Sequence, residues 1–356
     1  MRFTFINHGQ MGTLDVDEGR VTSIQTANPK EMSELKDLIS PTRFMTVTRI
    51  EKLLSKFGFS QIEIVSTPSI EKIDTLLTES GLYGSILIRK KGETLLRKGY
   101  GFFDIETKKR NTESTYYHCG RLSELFTTRL FYSKIEEGLF SLDDPLDYFF
   151  PSYCVKSPYL SEITLSMLLH HTSGFTQFEM GLSPILDDLS TRMILDQIFK
   201  HPLLFKPGTH RFESNANFRL LSAILGETLL KQETNTATLY ESDGSKKRLD
   251  HLSFRRGFAD ISTTVVDLME CTQSLLDQTK EFVTLHSHKT NEMVSVTGPL
   301  HREFLFGRCT YSFSCDHGVV FFVPQDELHV ALIINKPMPT KLPIKKLISL
   351  ITTNHF

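Results

Sequence analysis

The chain has 356 residues, 40% of them hydrophobic and 23% charged, with a formal net charge of −2. That length suits one large domain, or one domain with an extension. The near-neutral balance excludes the basic footprint of a nucleic-acid binder and the strong surface charge of a membrane-adsorbed protein. No window approaches the roughly 18 consecutive apolar residues of a membrane span. Asn7 and His8 cut the first apolar run short of the ~7–15 residues of a signal peptide, so the expected location is cytoplasmic. The cysteines, Cys119, Cys154, Cys271, Cys309 and Cys315, contain no C-x-x-C pair. A zinc framework is therefore not expected, and free thiols in a reducing compartment are. No metal or other cofactor is expected.

Residues 1–68 read as a small α/β extension. Phe3, Phe5 and Leu14, with Val21 and Ile24, suggest short strands about an Asp17-Glu18-Gly19 turn. Helices are expected over 31–39 and 46–57, with a strand over 61–65. Thr67-Pro68-Ser69 marks the boundary, and residues 69–356 form the main domain. There, residues 70–82 have helical spacing. Strands at 85–88 and 94–100 flank a Lys90–Glu93 turn. A helix over 122–137 ends at Gly138, and a short one covers Thr164–His170. Strands at 318–323 and 328–334 precede a helix near 343–352. Strands at both ends with helices between predict an α/β (α+β) domain whose antiparallel sheet draws on both termini.

Six segments, in order, carry a family likeness. The first runs Gly84-Ser85-Ile86-Leu87-Ile88, then Gly92 and Gly99-Tyr100-Gly101. The second is Thr115 to Thr127, with Gly120, Ser123 and Phe126 in register. Next come Gly138-Leu139 with Leu142-Asp143-Asp144-Pro145, and Leu168-Leu169-His170-His171-Thr172-Ser173-Gly174. The last two are Pro207-Gly208-Thr209 with Ser214-Asn215, and Gly257-Phe258-Ala259 with Ser262-Thr263 and Asp267-Leu268. The chain from about residue 70 onward resembles the serine β-lactamase family related to class C enzymes and penicillin-binding proteins. The resemblance implies a β-lactamase/transpeptidase-like fold: a sheet flanked by helices, plus a mainly helical subdomain.

Acyl transfer in that family needs a serine and a lysine one helical turn apart (S-x-x-K), a Y-x-N loop, and a K-T-G or H-x-G strand. On this register the serine position holds Arg121, the lysine position Glu124 and the tyrosine position Glu213; Asn215 is retained. The third motif falls near Ser312-Phe313-Ser314, without lysine or histidine. Arginine stays protonated and cannot accept an acyl group, and loss of a triad-type nucleophile alone costs about 10⁶ in rate in one serine protease. The replacements instead form a set of one cation and two carboxylates, expected to pair as an ionic cluster that fills the former site. Arg121, Glu124, Glu213, Asn215, Ser312 and Ser314 define the candidate pocket. Removal of Arg121, which would leave two carboxylates facing each other, is expected to cost more stability than removal of Glu213.

Other residues have plainer readings. Ser123 is about 200° around the helix from Arg121, and Cys119 is expected to be a small core residue rather than a reactive thiol. His170-His171 lacks a carboxylate at metal-ligand spacing, and Asp143-Asp144 belongs to a turn. The family's stretch after its Asn-led helix is missing, because Leu220–Leu230 passes straight into a polar segment over Lys231–Lys247; one wall of the usual cleft is thus expected to be shortened. The functional expectation is a non-catalytic binding or scaffold module for a small polar ligand or a protein partner. The rival is a serine hydrolase with a different nucleophile.

Overall fold

The computed structural model describes the backbone of residues 2–7, 10–17, 20–25 and 60–65. It describes 70–154, 157–177, 191–226, 236–246, 261–278, 282–305 and 308–337 in full, with 347 and 351. By compactness the chain divides into residues 1–77 with 341–356, and residues 78–340. The first unit holds a four-stranded antiparallel sheet of β1 (Arg2–Asn7), β2 (Gln10–Asp17), β3 (Arg20–Gln25) and β4 (Ser60–Val65), in the order β3-β2-β1-β4. The helices expected over 31–39 and 46–57 lie outside the described residues, and of the one near 343–352 only Leu347 and Ile351 are described, both helical.

Helix α1 (Ile70–Glu79) stops before Gly81, whose φ of +68° breaks the helix. The main sheet begins with β5 (Gly84–Lys90) and β6 (Glu93–Tyr100). Lys91 and Gly92, both at positive φ, make the tight turn between them. Short strands β7 (Phe102–Asp104), β8 (Lys109–Arg110) and β9 (Tyr117–His118) lead to α2 (Ser123–Glu136), which a single turn of 3₁₀ helix, Gly120–Leu122, precedes.

The helical region follows: α3 (Leu146–Phe149), α4 (Leu165–Leu169), α5 (Thr191–Lys200), the two-residue strand β10 (His210–Arg211) and α6 (Asn215–Leu225). Thr164 caps α4 by accepting from Met167 N–H, and Ser214 caps α6 by accepting from Ala216 N–H. After β11 (Ser262–Thr263) comes α7 (Val265–Gln278). The chain then returns through β12 (Val283–Ser287), β13 (Met293–Thr297), β14 (Leu300–Leu305), β15 (Arg308–Cys315), β16 (Gly318–Val323) and β17 (Leu328–Ile334).

The nine-stranded sheet has the order β10-β12-β13-β14-β15-β16-β17-β5-β6 and is antiparallel except where β10 runs parallel to β12. Strands from both ends of the unit therefore lie side by side, β17 pairing with β5 over seven residues. Among the described residues two apolar cores result. One joins Leu87, Leu122, Leu125, Leu268, Phe313, Val320 and Ala331 between sheet and helices. The other joins Phe131, Leu146, Leu168, Phe199 and Phe218 within the helical region. Helix α2 feeds both, Leu125 and Tyr132 entering the first and Phe131 the second.

Every strand of this sheet lies between residues 84 and 334. A chain beginning at residue 69 is therefore expected to stay soluble and to unfold in one cooperative denaturant transition. An insoluble or molten product would mean that the first 68 residues belong to the core.

Candidate functional site

Gly120 has a φ of +50°, and a Cβ there would collide with the His317 ring. This close approach sets the entry to α2 and turns Arg121 outward, its side chain 34% exposed, while Glu124 one turn on is only 1% exposed. The Arg121 guanidinium grips Glu124 with two nitrogens, Nε donating to Oε1 at 3.0 Å and Nη2 to Oε2 at 3.3 Å. Its third nitrogen, Nη1, donates to Glu213 Oε2 at 2.9 Å. Glu213 sits in the stretch between β10 and the α6 cap, so residues 92 positions apart close on one cation.

Further side chains complete the cluster. Arg211, on β10 and 5% exposed, donates from Nη1 to Glu213 Oε1 at 3.0 Å. His301 on β14 reaches the same oxygen at 3.2 Å. On the buried side, His171 Nε2 lies 3.4 Å from Glu124 Oε2. Its Nδ1 faces two donors, Asn217 Nδ2 at 3.1 Å and Ser214 N–H at 3.3 Å. Asn217 is oriented by Ser173, whose hydroxyl donates to Oδ1 at 2.6 Å. Nδ1 must therefore be the bare acceptor, and the neutral imidazole donates from Nε2 to Glu124.

These contacts set the charges. Burial alone would raise the Glu124 carboxyl, but the His171 hydrogen bond and the Arg121 guanidinium outweigh it and hold the pKa below the usual carboxylate value. Burial likewise opposes ionisation of Glu213; His301, Arg211 and Arg121 overcome it and hold that group far down. For Arg121 burial works against the charge, and Glu124 and Glu213 more than offset it. Burial lowers the pKa of His171, consistent with a neutral ring. Two guanidiniums thus balance two carboxylates.

The remaining candidates fall around this cluster. Asn215 opens α6, and its backbone N–H donates to Gln177 Oε1 at 3.3 Å. Ser312 donates to Glu303 Oε1 at 3.1 Å, and Ser314 is exposed on the same strand. The residue of that stretch that meets Arg121 is Phe313, its ring 5.6 Å from the guanidinium carbon. Ser123 is fully buried and donates to Gly120 C=O at 2.7 Å. Cys119 is fully buried too, and desolvation pushes its thiol up, which makes it inert. His170 is buried with Nδ1 against Ser166 C=O at 2.7 Å. Asp144 accepts from Ser141 N–H, the turn contact. Among the described residues no group of His, Cys, Asp or Glu has the arrangement of a metal site.

The cluster members Arg211, His301 and Asn217 are absent from the sequence reading. Arg211 had a signal: two residues before Glu213 in an extended segment, it shares that residue's side of the chain. His301 had none, being 88 positions from its partner.

The family model described as Beta-lactamase matches residues 71–233. A putative penicillin-binding protein, PbpX, of Bacillus subtilis is 25% identical over 70% of this chain and 67% of its own length. A teichoic acid D-alanine hydrolase of Staphylococcus aureus is 25% identical over 52% of this chain, which spans only 45% of that relative. Solved structures share the fold. FmtA from Staphylococcus aureus has a TM-score of 0.59 at 19% identity, covering 83% of this chain and 91% of its own. A class C beta-lactamase from Rhodobacter sphaeroides has 0.64 at 16%, covering 81% and 99%. The match to the Beta-lactamase model covers a little under half of the chain, and the solved structures give the chain the β-lactamase/transpeptidase-like fold. Among the described residues no helix is long and apolar enough to cross a membrane.

Proposed function

We propose that this chain has given up serine acyl transfer and acts as a binding or scaffold module, taking a small polar ligand or a protein partner. The observation that carries this reading is the state of Arg121. It occupies the position that the resemblance assigns to the nucleophile, and its three guanidinium nitrogens are spent on Glu124 and Glu213. A guanidinium cannot form an acyl bond, and a carboxylate locked to it by two hydrogen bonds is not a free base. The five free cysteines support a reducing compartment, the cytoplasm in this reading. Because one relative is a teichoic acid D-alanine hydrolase, D-alanine is the first ligand to test.

The purified chain is expected to leave a chromogenic cephalosporin and a p-nitrophenyl ester at the rate of buffer. Turnover that disappears in Arg121→Ala or Glu124→Gln would overturn the proposal.

One observation favours the rival hydrolase. Ser312 stands directly across the β14–β15 ladder from His301, and His301 is in turn 3.2 Å from Glu213. This sets serine, imidazole and carboxylate in sequence. Against it, the Ser312 hydroxyl is engaged by Glu303. Ester hydrolysis abolished by both Ser312→Ala and His301→Ala would select this reading.

A further inference from the structure

A cavity of about 520 Å³ lies between α7 and the sheet face beneath it, formed without any of the cluster residues described above. Its floor is the end of a row that crosses five strands in register: Arg302, Tyr311, Phe322, His329 and Arg89. Residues directly opposite in adjacent strands share a face, so this row forms a continuous stripe on one face of the sheet. Phe282 stacks on Tyr311 at 5.2 Å, and Tyr311 on Phe322 at 6.3 Å. The His329 ring stands edge-on to Phe322 at 4.0 Å. The volume falls in the range of small-molecule sites, roughly 300–1,000 Å³.

The walls are chemically biased. Glu270 and Asp277 from α7 and Glu327 from the turn before β17 line the cavity, against the single cation Arg89. Among the described residues, neither Arg89, Glu270 nor His329 makes a side-chain hydrogen bond or ion pair. Burial and Arg89 bring the His329 pKa down to about 4, so its ring adds no charge near neutrality. The cavity therefore offers an aromatic floor with an electron-rich face and an excess of carboxylate, the combination that attracts a cation laid on a ring.

We propose that this cavity binds a flat organic cation, its ring resting on Phe322 and its charge facing Glu270 and Asp277. Arg89 fixes the orientation by repelling the charged end toward α7.

The probe is proflavine, a planar cation, titrated by fluorescence anisotropy against the full chain, with 2-naphthalenesulfonate as a flat anion. Proflavine is expected to bind at one site, to be weakened by added salt, and to be preferred over the sulfonate. Phe322→Leu is expected to weaken it about tenfold, the scale of a desolvated cation–π contact. Phe322 is half-buried within the sheet, so a second variant separates binding from folding: Glu270→Gln/Asp277→Asn changes only exposed side chains and is expected to weaken proflavine by a similar factor. Equal or tighter binding of the sulfonate, non-saturable binding, or affinity unchanged in the carboxylate variant would each overturn the proposal.

Discussion

Glu213→Ala is expected to lower stability by about 3–5 kcal/mol, the cost of breaking a buried charge pair, and Arg121→Ala by less, because the buried Glu124 that it leaves behind keeps the His171 hydrogen bond. This reverses the order that the sequence suggests. Without Arg121, Glu213 still holds Arg211 and His301, and Glu124 still holds His171. Without Glu213, Arg211 has no acceptor among the described residues; it is 5% exposed, and its Nε and Nη2 already lack partners there. A stranded guanidinium in the interior is what makes the loss large. The double variant Arg121→Ala/Glu213→Ala is expected to differ from the sum of the singles by more than the ~0.3–0.5 kcal/mol of independent sites. Denaturant melts of the three variants measure this. A larger loss for Arg121→Ala, or strict additivity, would show that the cluster is not arranged as described.

Stability is also expected to fall by about 3 kcal/mol between pH 6.5 and pH 4 through His170 alone. Burial lowers the His170 pKa from 6.5 to about 4, against the opposing hydrogen bond to Ser166. The unfolded chain then binds a proton below pH 6.5 that the folded chain refuses until about pH 4. Folding stability is full above the unfolded value and is lost as pH falls through this window. Glu124 and Glu213 act lower. Their folded values are depressed, so their contribution is complete above the ordinary carboxylate value near 4.5 and drains away below it. The two windows are separable. His170→Gln keeps a donor for Ser166 and cannot ionise, so its melting temperature should drop less between pH 6.5 and 4.5 than that of the parent. An identical slope in both proteins would remove His170 from the account.

Much of this fold is legible in the sequence because local chemistry and tertiary placement agree. Lys91-Gly92 demands a tight turn, and β5 and β6 flank it. Residues 318–323 and 328–334 are apolar enough to read as buried strands, and both are. The strands from β12 to β14 are less legible. Val283–Ser287 and Leu300–Leu305 lie partly exposed and alternate weakly, so their pairing is decided by neighbours rather than by pattern. Helix α7 is different: Val265, Leu268, Met269 and Leu275 stand at helical spacing, and this element was within reach of periodicity alone. At the site, motif register brings Arg121, Glu124 and Glu213 into view. It is blind to Arg211 and His301, whose roles arise only when β10 and β14 are folded around Glu213. It also points to Ser312 and Ser314, where the contact with Arg121 is made by Phe313 between them.

The central claim is that the position of the nucleophile has become one end of an ionic cluster. The most direct test is intact mass after prolonged incubation with a fluorophosphonate and with a penicillin, followed by peptide mapping. The account predicts one species at the unmodified mass with either reagent. A stoichiometric adduct mapped to any serine, Ser312 included, would contradict it.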